Sequence, residues 1–268
     1  MKVFVAGATG ALGRRLVPML VANGHTVVGT TRAPGKADAL RAAGATPVVL
    51  DALDRDAVID AVGRAEPEVV VHQLTALARF TDFRKLDEGF AATNRLRTEG
   101  TDHLLEGIRR LPVRRIVAQS YAGPGFFART GGPVKTEDDP FDPDPPAALR
   151  RPIEAVRSFV HVDDAATATL AAIERGRTGV YDIVDDDPAP VGEWLPALAA
   201  AIGAKPPRRV PAWLARLFVG EHGVVMMTES RGASNAKAKR ELGWRPAYPS
   251  WRTGFRVGLG SSGATRAA

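Results

Sequence analysis

Seven residues near the N-terminus, Gly7-Ala8-Thr9-Gly10-Ala11-Leu12-Gly13, constrain this chain more than any other stretch. They follow a short β-rich run, Val3–Ala6. They open a helical pattern in which Leu12, Leu16 and Leu20 share one face before an Asn23-Gly24 stop. In such a strand–turn–helix unit the first glycine permits the tight turn. The second lets backbone approach a pyrophosphate, and the third lets the helix pack close to the strand. The helix N-terminus then presents free N–H groups and its positive dipole end to the phosphates. Gly-rich turns are common; what marks this one is its placement between strand and helix. The unit predicts a dinucleotide site built from Gly7, Thr9, Gly10, Ala11, Leu12 and Gly13.

Strand and helix signals then alternate, which predicts a doubly wound Rossmann-type α/β fold around a parallel sheet. β-rich runs fall at Val3–Ala6, Thr26–Thr30, Pro47–Leu50, Val69–His72 and Arg115–Gln119. Helical patterns cover about Gly35–Ala43, Asp54–Ala65 and Leu86–Arg110, and Pro18 should kink or weaken the first helix. From Gly123 to Pro146 the chain is rich in Gly, Pro and Asp and reads as loop. A weak helix, Ala147–Arg157, contains Pro152. Ser158–Val162 and Val180–Val184 read as strands, Asp163-Asp164 as the cap of a helix reaching about Arg175, and Val191–Ile202 as a further helix. These readings divide the chain into a Rossmann domain over residues 1–157, segments of a small, reduced C-terminal lobe over 158–259, and a disordered tail over 260–268.

Composition removes other classes. The chain has 268 residues and no cysteine, so disulfides and thiolate chemistry are excluded. The N-terminus lacks the pattern of a signal peptide and no apolar stretch reaches membrane-spanning length, so a cytoplasmic location without membrane attachment is expected. A formal charge of +6 raises nucleic acid as a partner. The basic residues are scattered, however, without the clustered cations and stacking aromatics of a single-strand reader, and specific nucleic-acid binding is not expected. The acidic runs at Asp138-Asp139 and Asp185–Asp187 lack the spacing of metal ligands and read as turns; no metal site is expected.

The glycine spacing resembles the short-chain dehydrogenase/reductase superfamily, in its NAD-dependent epimerase/dehydratase (extended or atypical) branch. Further segments carry the same resemblance. Leu50-Asp51-Ala52-Leu53 is similar to the family's segment after strand three, whose aspartate holds the adenine. Val70-Val71-His72-Gln73-Leu74 is similar to its strand-four segment beside the cofactor. Phe159-Val160-His161-Val162-Asp163-Asp164-Ala165-Ala166 and Lys237-Ala238-Lys239-Arg240-Glu241-Leu242-Gly243-Trp244-Arg245-Pro246 resemble signatures of the C-terminal half. The resemblance implies that Asp51, Ala52, Leu53 and Leu74 join the cofactor site.

At the end of the second strand stands Thr30-Thr31-Arg32, with no acid for a ribose 2′-OH. An arginine there can pair with a 2′-phosphate, so the expected cofactor is NADP, with NAD as the alternative. Catalysis departs from the family. Its Tyr-x-x-x-Lys pair, in which the phenol is the acid/base and the lysine lowers its pKa and holds the ribose, has no match. The three tyrosines, Tyr121, Tyr181 and Tyr248, are followed four residues later by Gly125, Asp185 and Arg252. Ser120 matches the family's substrate-polarising serine, and Tyr121 beside it is a candidate proton donor; these two are the expected catalytic residues. Relatives also carry a longer helix, a sixth strand and part of the substrate lobe before the Phe-Val-His-Val-Asp-Asp segment. Here Arg157 runs directly into Ser158, by natural degeneration or by internal deletion. The expected function is an oxidoreductase or epimerase/dehydratase-like enzyme acting on a small carbonyl or sugar-type molecule. The alternative is a catalytically impaired dinucleotide-binding sensor or scaffold. The shortened middle should leave strand five as a sheet edge, open to a homodimer.

Overall fold

Apolar, β-branched runs that are buried on both faces need helices above and below them. The computed structural model describes residues 1–77, 86–120, 134–139, 159–208, 210–211, 213–215, 217–218, 224 and 232–258. Strands β1 (Lys2–Ala6), β2 (Thr26–Thr31), β3 (Thr46–Val49), β4 (Val69–His72) and β5 (Arg115–Ala118) form one parallel sheet in the order β3-β2-β1-β4-β5. This is a Rossmann-type α/β fold. The strand order reverses between β1 and β4, where Val5 stands opposite Gly29 on one side and Val71 on the other. A crevice at the carboxyl ends of the strands is expected at that switch point.

Side-chain alternation splits the core in two. Val3, Val5, Val69 and Val71 point to one face, where α1 (Gly13–Ala22) and α5 (Val162–Arg175) cover them with Leu16, Leu20, Ala166 and Ile173. Phe4, Ala6 and Val70 point to the other, against α3 (Arg55–Ala65) and α4 (Leu86–Ile108) through Val58, Val62, Leu96 and Leu104. The short α2 (Ala37–Ala42) buries Leu40. Pro18 leaves α1 continuous. It stands on the exposed side, so the carbonyl it frees reaches solvent.

The C-terminal part adds α6 (Val191–Ala201), α7 (Ala236–Leu242) and α8 (Trp251–Gly258), with a two-stranded parallel ladder of β6 (Val134–Lys135) and β7 (Gly232–Ala233). Two expected strands are not found. Residues 159–161 lead straight into α5, which begins at Val162, and residues 180–184 form no ladder. Extended residues count as strand only where a neighbour completes their hydrogen bonds. Just past the second segment, Asp185 N–H donates to the carbonyl of Phe159 at 2.7 Å and ties the two together. The expected helix at 147–157 and the tail at 260–268 lie outside the described residues.

Candidate functional site

The three glycines of the turn are required for three different reasons. Gly7 has φ +87°, and a Cβ there would lie 2.8 Å from the carbonyl oxygen of Gln73. A Cβ at Gly13 would lie 2.5 Å from the Ala8 carbonyl oxygen, because α1 starts directly against the turn. At Gly10 a Cβ would meet only the Gly7 carbonyl oxygen, at 3.2 Å. The space over Gly10 is therefore open on its outer side, as a cradle for a phosphate requires. α1 begins at Leu12 with no side-chain cap and no acid in its first turn, which instead carries Arg14 and Arg15. Uncapped N–H groups with the Arg14 cation at a helix N-terminus form an anion-binding arrangement, Arg15 being paired with Asp163. These residues fit the pyrophosphate of a dinucleotide.

The end of β2 holds the turn in place, a role its sequence did not reveal. Thr30 Oγ1 accepts from Gly7 N at 3.0 Å, the Thr30 carbonyl accepts from Ala8 N at 3.0 Å, and the hydroxyls of Thr9 and Thr31 lie 2.9 Å apart. Arg32 follows, exposed and without an ion-pair partner among the described residues, and no acid stands beside it. After β3, Asp51 accepts from Leu53 N at 3.0 Å through Oδ1, which shapes an exposed turn, while Ala52 is buried and its carbonyl contacts His103 Nδ1 at 3.0 Å. Arg32 and Asp51 thus stand at the ends of adjacent strands on the β2–β3 side of the switch point. Leu74 is buried in the core face beneath the crevice.

On the β4–β5 side a cavity of about 1300 Å3 is lined by Leu12, Gln73, Ser120, the β5 strip Arg115–Ala118 and residues 180–184. Ser120 is exposed at its rim; Tyr121 lies outside the described residues. Gln73 is 7% exposed, and neither its Oε1 nor its Nε2 has a hydrogen-bond partner among the described residues. His72 points the other way. Its Nε2 lies 3.0 Å from Thr101 Oγ1 and its Nδ1 accepts from Leu74 N at 3.4 Å. Burial, with Arg97 nearby, pushes its pKa down, so it stays neutral and acts as a strut.

The two C-terminal motifs prove to be one structural unit. Asp163 and Asp164 were expected to cap α5, but the N-cap is His161, whose Nδ1 accepts from Asp163 N at 3.3 Å. Asp164 is buried and accepts instead from Ala247 N and Tyr248 N at 2.7 and 2.9 Å. Trp244 Nε1 donates to Thr167 Oγ1 at 3.0 Å, and Arg175 Nε to the Leu242 carbonyl at 2.9 Å. Asp163 pairs with Arg15 of α1 at 3.1 Å, fixing this unit beside the glycine turn. Asp185, beneath it, accepts from Trp251 N at 2.6 Å while its other oxygen is unpartnered. Burial, with Asp187 and Asp186 close by, raises its pKa to about 7. No group of three His, Cys, Asp or Glu among the described residues is placed to hold a metal ion. None of the helices among them is long and apolar enough to cross a membrane.

Comparison with known proteins agrees with this geometry. A family model described as NAD(P)H-binding matches residues 7–139. A 3-diazoavenalumate denitrifying reductase from a Streptomyces species is 41% identical over 310 aligned positions, covering 95% of this chain and 99% of the relative. Since 95% of 268 residues is about 255, about 55 positions of that alignment have no residue of this chain. A UDP-glucose 4-epimerase from Mycolicibacterium smegmatis is 32% identical over 154 positions, 55% of this chain and 47% of that protein. Among solved structures, the Thermotoga maritima UDP-glucose 4-epimerase with UDP-glucose superposes with a TM-score of 0.70 at 18% identity, over 97% of both chains. The human epimerase family protein SDR39U1 with NADPH does so at 0.69 and 18%, over 97% of this chain and 99% of that one. At such identities these structures speak for the fold.

Proposed function

We infer that this chain, which belongs to the NAD(P)H-binding, epimerase-like branch of the short-chain dehydrogenase/reductase family, is an NADP(H)-dependent reductase of a small electrophile. The observation that carries the reading is the open cradle over Gly10 at an uncapped helix N-terminus, beside an acid-free β2 end with exposed Arg32. NADPH held there supplies a hydride. The turn would bind the pyrophosphate, Arg32 the 2′-phosphate, Asp51 the adenosine, and Ser120 would donate to the substrate oxygen or nitrogen at the cavity rim. A charge-assisted bond to the 2′-phosphate is worth about 1.5–3 kcal/mol, roughly 10- to 100-fold in Kd. Arg32→Ala should weaken NADPH by that factor and leave NADH nearly unchanged.

The substrate class follows from what the chain lacks. Reduction of a ketone consumes a hydride and a proton, and no Tyr-x-x-x-Lys pair exists to deliver that proton. An arenediazonium that takes a hydride and releases dinitrogen becomes the arene without any proton. The electron balance closes with NADPH alone. The denitrifying, diazo-directed name of the 41% identical relative supports the same class. We therefore place a diazo or diazonium compound ahead of a carbonyl or sugar. The absent pair and the missing positions, which we place between Arg157 and Ser158, also support a second reading, a dinucleotide-binding sensor without turnover.

Turnover separates them. NADPH oxidation with a soluble arenediazonium should exceed the uncatalysed rate in proportion to enzyme and release one dinitrogen per NADPH, while ketones and UDP-sugars give no turnover. Tight NADPH binding without turnover of any of the three would favour the sensor. No NADPH binding would end both readings.

A further inference from the structure

We propose that the buried amide of Gln73 is the protein's contact to the nicotinamide riboside half of the dinucleotide. The proposal rests on the dinucleotide reading above. Gln73 is 7% exposed, and both polar atoms of its side chain lack partners among the described residues. Amides buried in folded proteins are almost always paired, and one left open in a crevice points to a ligand that completes it. The backbone that carries it is pinned. Its backbone N donates to the Ala6 carbonyl at 2.9 Å, and its own carbonyl packs against Gly7, where a Cβ would come within 2.8 Å. Strand alternation puts residue 73 on the same face as Val69 and Val71, and its side chain lines the cavity with Leu12 and Ser120.

Position selects the half of the cofactor. Arg32 and Asp51 stand on the β2–β3 side of the switch point and the glycine turn lies at the switch itself. Gln73, directly after β4, is left facing the end of the dinucleotide that carries the nicotinamide. Chemistry selects the group. A primary amide offers one acceptor beside two donors. A phosphate offers acceptors only and would leave Oε1 repelled. A ribose diol or a carboxamide offers a donor next to an acceptor and satisfies both atoms at once. Both groups belong to the nicotinamide riboside half.

The test compares NADPH with adenosine 2′,5′-bisphosphate, which lacks that half, on wild type and Gln73→Met, by calorimetric titration with thermal melts of the ligand-free proteins. The variant should bind adenosine 2′,5′-bisphosphate like wild type and bind NADPH about tenfold or more weakly. Its ligand-free melting temperature should equal or exceed that of wild type, because an unpaired amide has been replaced by an apolar chain of similar shape. Gln73→Glu, which keeps the shape and removes the donor, should show the same split between ligands and covers poor folding of the first variant. The 3-acetylpyridine analogue of NADPH tells the groups apart: an undiminished mutational loss assigns the diol, a vanishing loss the carboxamide, and each supports the proposal. Unchanged NADPH affinity, an equal loss for both ligands, or a lowered melting temperature with NADPH binding intact would overturn it. Wild type that binds neither ligand would instead reject the dinucleotide reading itself.

Discussion

β4 and β5 are neighbours in one sheet and similar in sequence, Val-Val-Val-His against Arg-Ile-Val-Ala, yet the first is buried at all four positions and the second alternates between half-buried and exposed. Val71 is fully buried while Ile116 is 44% exposed. Strand chemistry alone does not bury a strand; what lies beyond it does. β4 has β1 on one side and helices on both faces. β5 has β4 on one side, and on the other the cavity that separates it from residues 180–184. Among the described residues no strand stands beyond β5, and the extended segments have no ladder to join. The glycine-turn side of the crevice is therefore framed on both faces, and the β5 side, among the described residues, is open.

Four experiments put weight on that contrast. The largest effect should come from the framed side: Gly13→Val drives a side chain into the Ala8 carbonyl and should destabilise the protein by about 3 kcal/mol or more, seen as loss of a cooperative thermal transition. Next, Val71→Ala should cost about 2 kcal/mol in denaturant unfolding and Ile116→Ala under about 1 kcal/mol, since little apolar area is returned to water at the exposed site. Equal costs would mean that β5 is as well covered as β4. Supplying the relative's additional residues between Arg157 and Ser158 should raise the melting temperature and quench hydrogen exchange along β5; no change in either would show that the fold closes without them.

The smallest effect concerns pH on the C-terminal side. Asp185 has its pKa raised to about 7 by burial, with Asp187 and Asp186 adding to it. A carboxyl whose folded pKa lies above its unfolded value near 4 stabilises the fold fully at low pH and loses that contribution as pH rises toward 7. The neutral variant Asp185→Asn keeps an acceptor for Trp251 N. It should melt a few degrees above wild type at about pH 8, and the gap should shrink steadily as pH falls toward about 4. A constant difference across that range would assign the effect to packing.

The framed half was legible because its signals are local. Glycine at 7, 10 and 13 encodes backbone geometry, close approach and helix contact within seven residues, and the alternation of Val and Ile runs with helical patterns encodes a parallel sheet. Residues 180–184 misled because a β-rich run says nothing about whether a neighbouring strand exists. Asp164 misled because an acid before a helix reads as a cap, while its actual partners, Ala247 N and Tyr248 N, lie some eighty residues on. Thr30 and Thr31 drew notice for the acid they replace rather than for the turn they hold. Gln73 stands in the segment that resembles the family's stretch beside the cofactor, yet only Leu74 of that segment joins the expected site; a lone amide two residues after Val71 on the core-facing side was itself a signal.

The central claim is that the turn over Gly10 is a phosphate cradle rather than a structural bend. Titration of wild type and Gly10→Val with NADPH, read by cofactor fluorescence, tests it most directly. A Cβ at Gly10 meets a single protein atom, the Gly7 carbonyl oxygen at 3.2 Å, so the variant should fold after that carbonyl gives by a few tenths of an ångström, with a melting temperature modestly below wild type. Its branched side chain should fill the space the pyrophosphate needs and abolish NADPH binding. Equal affinity of the two folded proteins for NADPH would contradict the account.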